Sequence, residues 1–399
     1  MKKLIMIIVI ISFLISFFTA CDGKDILNED MNFTVTFDLD DGNIEGNTAS
    51  IKITVKSGDV ITNLPIPEKI DYIFGGWFYE KFGRGNEFTS STAVTSDMIV
   101  YAKWTTKIPI EDMISFENYP IVDGSTSTYS LSQLIACKFL DIPYSWSTPY
   151  PPIEWALQPS INSLPEQYRR FFADRVMRSQ THDAFLILIS GGADIILTHR
   201  TISPDEKAHA DATSVTLIEA PIALDAFNFI VNKNNPVKSL TVNKIQKIYI
   251  GEITNWSELG GNNEEIRVFT RPRNSGSEEV FRTLVMDGLE PVDFPTAPIV
   301  SMWGVFPEVR SYEDAICYTF NAFKEREAQF PDTEVPKISI NGFIPDESTI
   351  ADRSYPFIIE VYVAIRSDLD RNSMAYKLYE WMQTNNINPM IIECGFIPK

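Results

Sequence analysis

The sequence predicts an α/β body preceded by a smaller β-rich unit, and three observations carry that reading. The chain has 399 residues, more than one ordinary domain holds. Near its start Phe33, Val35 and Phe37 alternate with Thr34, Thr36 and Asp38, the period of a half-buried strand. From Asn118 onward short apolar strands alternate with amphipathic helical runs, the pattern of a sheet covered by helices. Hydrophobic residues at 44% and aromatics at 12% suffice for packed cores and exclude wholesale disorder.

The N-terminus carries its own signal. Lys2 and Lys3 precede an apolar run from Leu4 to Ala20, which reads as a secretion signal over residues 1–20. Phe18-Thr19-Ala20-Cys21 resembles a lipoprotein lipobox, and this implies cleavage before Cys21 and a lipid on its sulfur. An uncleaved N-terminal anchor is the alternative. Either way the remainder is expected on the extracytoplasmic face of the cell membrane. Residues 21–31 are polar and acidic, a tether.

Residues 32–104 form the β-rich unit, with a turn at Asp41-Gly42-Asn43 and a closing strand Met98–Trp104; Trp77 and Trp104 read as core. Residues 105–117 are a linker. The α/β body is then 118–399. Its expected elements begin with a strand at Tyr119–Asp123, a helical run to about Leu140 and a loop over Tyr144–Pro165. Helices follow at Glu166–Ser179 and Asp183–Ser190, then a buried strand at Ala193–Thr198. Ser203-Pro204-Asp205-Glu206 opens a helix with a capping Ser, Pro in the first turn and Glu at the box position. Phe227–Val231 reads as a strand, and Thr241–Ile250 as a helix closed by Gly251.

Net charge is −19, from 34 Lys+Arg against 53 Asp+Glu, which argues against nucleic acid as partner. Cys137, Cys317 and Cys394 are odd in number and widely spaced, each in apolar surroundings. Buried thiols are expected, with one disulfide of unspecified pairing as the alternative. His182, His199 and His209 lack metal-ligand spacing, and no triad, P-loop or GxGxxG motif occurs, so neither a metal, a cofactor nor an enzyme is indicated.

Three distant segments carry donors or acceptors suited to an anion. Asp123-Gly124-Ser125-Thr126-Ser127-Thr128 lies between a strand and a helix, where hydroxyls and free N–H groups make an anion seat; ordinary capping is the plainer account. Thr270–Glu278 offers the forked guanidinium of Arg271 and then Ser275-Gly276-Ser277 at another helix start, with Ser275–Glu278 capping as the plainer account. Asp194, at the start of a buried strand, is either a turn residue or an acceptor for a proton still carried by the ligand. An acceptor of that kind favours hydrogen phosphate over sulfate.

With those residues in view, two family resemblances stand out. Residues 32–104 resemble the internalin-type B repeat, a β-grasp module, through VTFDLDDGN, the V-x-x-G-x-x-I-x-x-L-P stretch ending at Pro65, FGGWFYE and VYAKW. Residues 118–399 resemble the phosphate-binding component of the phosphate-specific ABC transporter. The matching stretches are DGSTST, GGADIILTHRTISPDEK, the run from Ala226 to Trp256, RPRNSGSEEVF, YPFIIEVY and the ending Trp381…Gly395-Phe396-Ile397-Pro398. This resemblance implies a two-lobed body of the type II periplasmic-binding-protein class, clamping phosphate in its cleft and handing it to permease subunits. By position it implies Ser125, Thr126 and Ser127 as first-loop ligands, Asp194 as the acceptor and Arg271 as the charged ligand. It further implies Ser275, Gly276 and Ser277 as helix-start donors, with Thr181 in place of a Ser ligand. A surface adhesion protein acting through the repeat, or a receptor for another tetrahedral oxyanion, is the alternative.

Overall fold

The computed structural model describes residues 31–70, 72–106, 114–147, 155–328 and 330–399. The signal segment 1–20, Cys21 and the tether up to residue 30 lie outside the described residues, as does 107–113 of the linker. The chain forms two compact units, one up to Lys69 with Phe74–Trp104, the other Thr105–Lys399 with Ile70–Ile73.

The first unit is a five-stranded sheet of β1 (Asn32–Asp38), β2 (Ile51–Lys56), β3 (Tyr72–Glu80), β4 (Arg84–Phe88) and β5 (Met98–Thr106), ordered β2-β1-β5-β3-β4. At its centre β1 and β5 run parallel, Val35 facing Met98 and Asp38 facing Tyr101. The period-2 pattern of β1 sends Val35 and Phe37 into a core with Trp77, Phe88 and Val100. Trp77 is fully buried, meets Phe37 edge-on at 4.8 Å and donates its indole N–H to the Pro65 carbonyl at 2.9 Å. Trp104 donates to the Leu39 carbonyl at 3.0 Å and covers Gly42, where a Cβ would come within 2.4 Å of the ring. Both tryptophans therefore spend their rings and their N–H groups on packing.

The strands of the second unit are β6 (Val122–Gly124), β7 (Tyr144–Ser147), β8 (Ala156–Pro159), β9 (Ile195–Thr198), β10 (Leu217–Val231), β11 (Ser239–Leu240), β12 (Arg267–Val268), β13 (Ala315–Phe320), β14 (Ser339–Ile340), β15 (Ile358–Arg366) and β16 (Ile397–Pro398). Its main sheet is ordered β12-β13-β10-β15-β9-β6, with β16 also on β10. β10 joins the halves: Leu217–Ala226 pairs with β15, and Phe227–Val231 pairs with β13. The cores part at the same place. Leu131, Ile135, Leu197, Val361 and Val363 belong to the core of a first lobe, while Phe227, Phe229, Tyr249, Phe281 and Tyr318 belong to that of a second. The expected strand at Phe227–Val231 is thus only the second-lobe part of a longer one. Pro221, at a register shift, masks the rest of the pattern, because it cannot donate to the ladder.

Local signals explain most helix starts. Ser203 and Glu206 form the reciprocal capping box, and Thr241 caps Val242–Tyr249 by accepting from the Lys244 N–H at 3.2 Å. Two stretches depart from expectation. Tyr144–Pro165 is not wholly loop, since β7 and β8 form a hairpin within it. Glu393 pins that hairpin, accepting from the Tyr144 hydroxyl at 3.1 Å and the Trp146 indole at 3.2 Å, and the partner lies far along the chain. Glu166–Ser179 is not one helix. Phe171–Arg175 makes a short one, and the chain then extends so that Val176 bridges Val122 and fills the first-lobe core. Cys137, Cys317 and Cys394 are free and buried, so no disulfide joins them.

Gly124 ends β6 against β9, and a Cβ there would lie 2.3 Å from the Leu197 carbonyl oxygen, a backbone atom with nowhere to go. The same carbonyl accepts from the Ser125 N–H at 3.0 Å. Gly124→Ala is expected to cost about 1–3 kcal/mol by overpacking. A calorimetric unfolding transition identical to that of the natural chain would contradict this.

Candidate functional site

β6 and β9 are parallel neighbours with Gly124 opposite Leu197, so the residues that follow each strand lie side by side at the carboxyl ends. After β6 the chain turns at Ser125, makes one 3-10 turn over Thr126–Thr128 and enters the helix Tyr129–Phe139. The helix Thr181–Ile189 starts beside this loop. From the second lobe come Arg271, just after β12, and the helix Gly276–Val280 capped by Ser275. These starts surround one cavity of about 330 Å³, lined by Ser125, Thr126, Ser127, Thr181, Arg271, Ser275, Gly276 and Ser277. Arg178, Gln180, Val300, Ser301, Met302 and Phe320 complete its wall. The lobes meet closely at Gly276, where a Cβ would fall 2.3 Å from Thr181 Oγ1.

Arg271 is 6% exposed, and among the described residues no carboxylate lies within ion-pair distance of it. Its Nε donates to Ser277 Oγ at 3.2 Å and Nη1 to the Ile299 carbonyl at 2.8 Å. Burial pulls its pKa down, while Cys317, Tyr318 and Glu278 push the other way. Glu278 is the nearby acid, but it is taken up by Arg282 at 2.8 Å and by the Tyr318 hydroxyl. Tyr318 in turn accepts from the Arg271 backbone N–H at 3.1 Å, which fixes the loop. A buried cation without a counter-charge is costly, so the cavity is built to receive one.

The remaining lining is made of donors. Ser275 caps its helix by accepting from the Glu278 N–H at 3.2 Å. The N–H groups of Gly276 and Ser277, like those of Thr126 and Ser127, have no acceptor among the described residues, as expected for helix starts. Such N–H groups bind anions. Gln180, on the rim, holds φ at 70°, a backbone strain of the kind that clusters at binding sites.

Asp194 is not in this cavity. Its carboxylate accepts from the Ile121 N–H at 2.8 Å at the amino end of β9. The cavity lies beyond Thr198 at the other end, roughly 13 Å away at about 3.3 Å per residue. Ligands of α/β sheets sit outside the carboxyl ends of strands, and that rule applied to β9 points to the residue after Thr198. It is His199, which the sequence showed in neither a metal-ligand spacing nor a triad. His199 is 3% exposed, stacks on Phe320 with ring centres 4.3 Å apart, and lies 2.8 Å through Nδ1 from Ser127 Oγ. Its Nε2 is 3.1 Å from Asp225 Oδ2.

His182, Asp205 and Glu206 cluster elsewhere in the first lobe. Glu206 already accepts from Arg200 at 2.7 and 2.8 Å, from His182 at 3.0 Å and from the Ser203 N–H at 2.9 Å. Its lone pairs are spent, and the cluster fits an ion-pair network better than a metal.

The close approach at Gly276 makes a direct prediction. Gly276→Ala is expected to hold the lobes apart, seen as a larger radius of gyration in small-angle scattering; an unchanged profile would show that Thr181 simply yields.

The fold and site can now be set beside known proteins. A family model described as a PBP superfamily domain matches residues 171–386, and one described as a Listeria-Bacteroides repeat domain matches 33–103. The phosphate-binding protein PstS of Bacillus subtilis is 26% identical over 246 residues, which is 61% of this chain and 78% of that protein. Protein SphX of Synechococcus elongatus is 30% identical over 115 residues, 27% of this chain and 34% of that one. Among solved structures, a putative phosphate ABC transporter substrate-binding protein with bound phosphate from Clostridium perfringens superposes with a TM-score of 0.53 at 21% identity. That match covers 72% of this chain and 100% of the other. An ABC-type phosphate transport receptor from Vibrio cholerae gives 0.50 at 23% identity, covering 70% and 100%. With its two-lobed body matched over more than half its length, the chain belongs to the PBP superfamily.

Proposed function

We propose that this chain is an extracytoplasmic solute-binding protein that captures inorganic phosphate for an ABC-type importer. The observation that carries the reading is Arg271, buried without a carboxylate in a cavity otherwise lined by hydroxyls and helix-start N–H groups. A dehydrated oxyanion supplies the missing charge and takes those donors at once. The names of the relatives, and the phosphate bound in the Clostridium perfringens neighbour, support phosphate among the tetrahedral oxyanions. Ser125, Thr126, Ser127, Thr181, Ser275, Gly276 and Ser277 are the proposed partners of the anion beside Arg271.

Binding proceeds by closure of the lobes about β10, with no covalent step and no cofactor. The shut form offers a permease a surface that the open form lacks. Residues 1–20 act as a signal peptide, Cys21 bears the lipid that anchors the chain, and 21–31 is the tether. The repeat at 32–104 and the linker at 105–117 follow the tether in the chain and precede the binding body at 118–399.

Isothermal titration tests the central claim. The chain is expected to bind phosphate at micromolar concentration or below. Arg271→Ala is expected to lose roughly thirty-fold or more, because truncating one partner of a buried charge pair costs about 2–5 kcal/mol. Arg271→Lys is expected to recover only part of the loss, since an ammonium cannot reproduce the fork. Full affinity in Arg271→Ala would refute the reading.

A further inference from the structure

The loop after β6 and the residue after β9 are tied together by a chain of buried side chains that a plain donor site does not need. Ser127, His199 and Asp225 are 5%, 3% and 1% exposed. Asp225 Oδ1 accepts from the backbone N–H groups of Ala226 at 2.8 Å and Ala322 at 2.9 Å, and Oδ2 faces His199 Nε2 at 3.1 Å. An ionised carboxylate only accepts, so Nε2 carries the hydrogen. A neutral ring bearing that hydrogen accepts at Nδ1, whereas an imidazolium would donate there. The group facing it at 2.8 Å is Ser127 Oγ, and with the neutral ring its single hydrogen points into the ring and not toward Ser125 Oγ, 3.2 Å away. Ser125 follows the same logic. Thr128 donates to the Leu197 carbonyl at 2.8 Å, which leaves Thr128 Oγ1 to accept from Ser125 Oγ at 2.9 Å.

We propose that the Ser127–His199–Asp225 chain fixes Ser127 as a hydrogen-bond acceptor toward the ligand, so that the cavity selects an oxyanion still carrying a proton. The proposal rests on the oxyanion reading of the site and names what within it distinguishes hydrogen phosphate from sulfate. A bound hydrogen phosphate donates its P–O–H to Ser127 Oγ. Sulfate has only acceptors to offer, and two acceptors facing each other in a dry cavity leave both unpaired. His199 is a positioning residue: it touches Ser127, and its ring is clamped by Phe320 on one face. The ring nitrogens are used in the reverse sense from a serine-hydrolase triad, in which Nε2 faces the serine.

Two measurements on the full folded chain test this. In ¹⁵N-histidine NMR with inorganic phosphate present, the signals missing from His199→Phe identify the His199 ring, and Nδ1 is expected to be unprotonated with Nε2 bearing the hydrogen. A hydrogen on Nδ1 overturns the relay. In parallel titrations with phosphate and sulfate, His199→Phe keeps an aromatic ring against Phe320 and frees the Ser127 proton. The phosphate-to-sulfate affinity ratio is expected to fall roughly ten- to hundred-fold. Ser127→Ala removes the acceptor itself and is expected to lower the ratio likewise, should the histidine variant not fold. Asp194→Asn, outside the cavity, is expected to leave the ratio alone. A natural chain that binds phosphate, with an unchanged ratio in both His199→Phe and Ser127→Ala, sinks the relay and spares the oxyanion reading. A natural chain that binds neither anion removes that reading and the selectivity claim with it.

Discussion

The guanidinium of Arg271 is the buried charge around which the cavity of the second unit is arranged. Taking it out of water costs several kcal/mol, and the usual remedy of a carboxylate beside it is absent among the described residues. The protein instead spends the neighbouring acid, Glu278, on Arg282 and Tyr318, and so keeps the face of Arg271 toward the cavity free of negative charge. Burial and the adjacent Glu278 push the Tyr318 phenol up, so it stays protonated and holds both the acid and the Arg271 backbone N–H in place. The cost of the unpaired cation is then offset only when an anion arrives. That dependence makes the closed arrangement responsive to ligand, because anything that binds the shut form selectively stabilises it.

Two constraints let a shut form exist. One is a continuous strand: β10 changes partner from β15 to β13 within one residue, so the lobes share a backbone and can rotate about it without unpairing either half. The other is the absence of side chains where backbones must meet. Gly276 faces Thr181 across the crevice, and Gly124 faces Leu197 where the first loop leaves the sheet. At neither position is a positive φ the reason for glycine; room is. Asp225 stands at the changeover in β10 and reaches through His199 to Ser127. The changeover in β10 and the first loop of the cavity are therefore joined by two buried hydrogen bonds through one imidazole ring.

Much of this was legible in the sequence because it depends on local chemistry. Ser125–Ser127 and the stretch from Arg271 to Ser277 announce themselves as helix starts and a charged loop, and two of the three expected segments meet in the cavity while Asp194 lies outside it. Capping at Ser203 and Thr241 was legible for the same reason. What was not legible depends on partners remote in the chain. The hairpin of β7 and β8 leans on Glu393, and β10 hides its first half behind Pro221. Asp194 and His199 differ in a subtler way. Both flank the same buried strand, and only strand direction decides which flank lies toward the cavity. Asp194 had the apparent chemistry of an acceptor, but it sits at the amino end and serves the Ile121 N–H. His199 had no motif to mark it, because its role comes from Asp225, 26 positions later, and from a serine 72 positions earlier.

A net charge of −19 repels anions from the exterior, yet the exterior charge and the cavity act over different distances. Fields from exposed carboxylates fade within about 8 Å at physiological ionic strength, and many of those here are paired, as Asp211 is with Lys207 and Glu360 with Arg353. Inside the cavity the dielectric is low, and one guanidinium with a ring of N–H groups outweighs the screened exterior. The outer charge slows encounter, whereas the inner donors set residence. An anion receptor that is acidic overall must then discriminate at contact and not at a distance. A direction of hydrogen bonding, fixed by buried side chains that bulk salt does not reach, is the kind of discrimination such a surface leaves available.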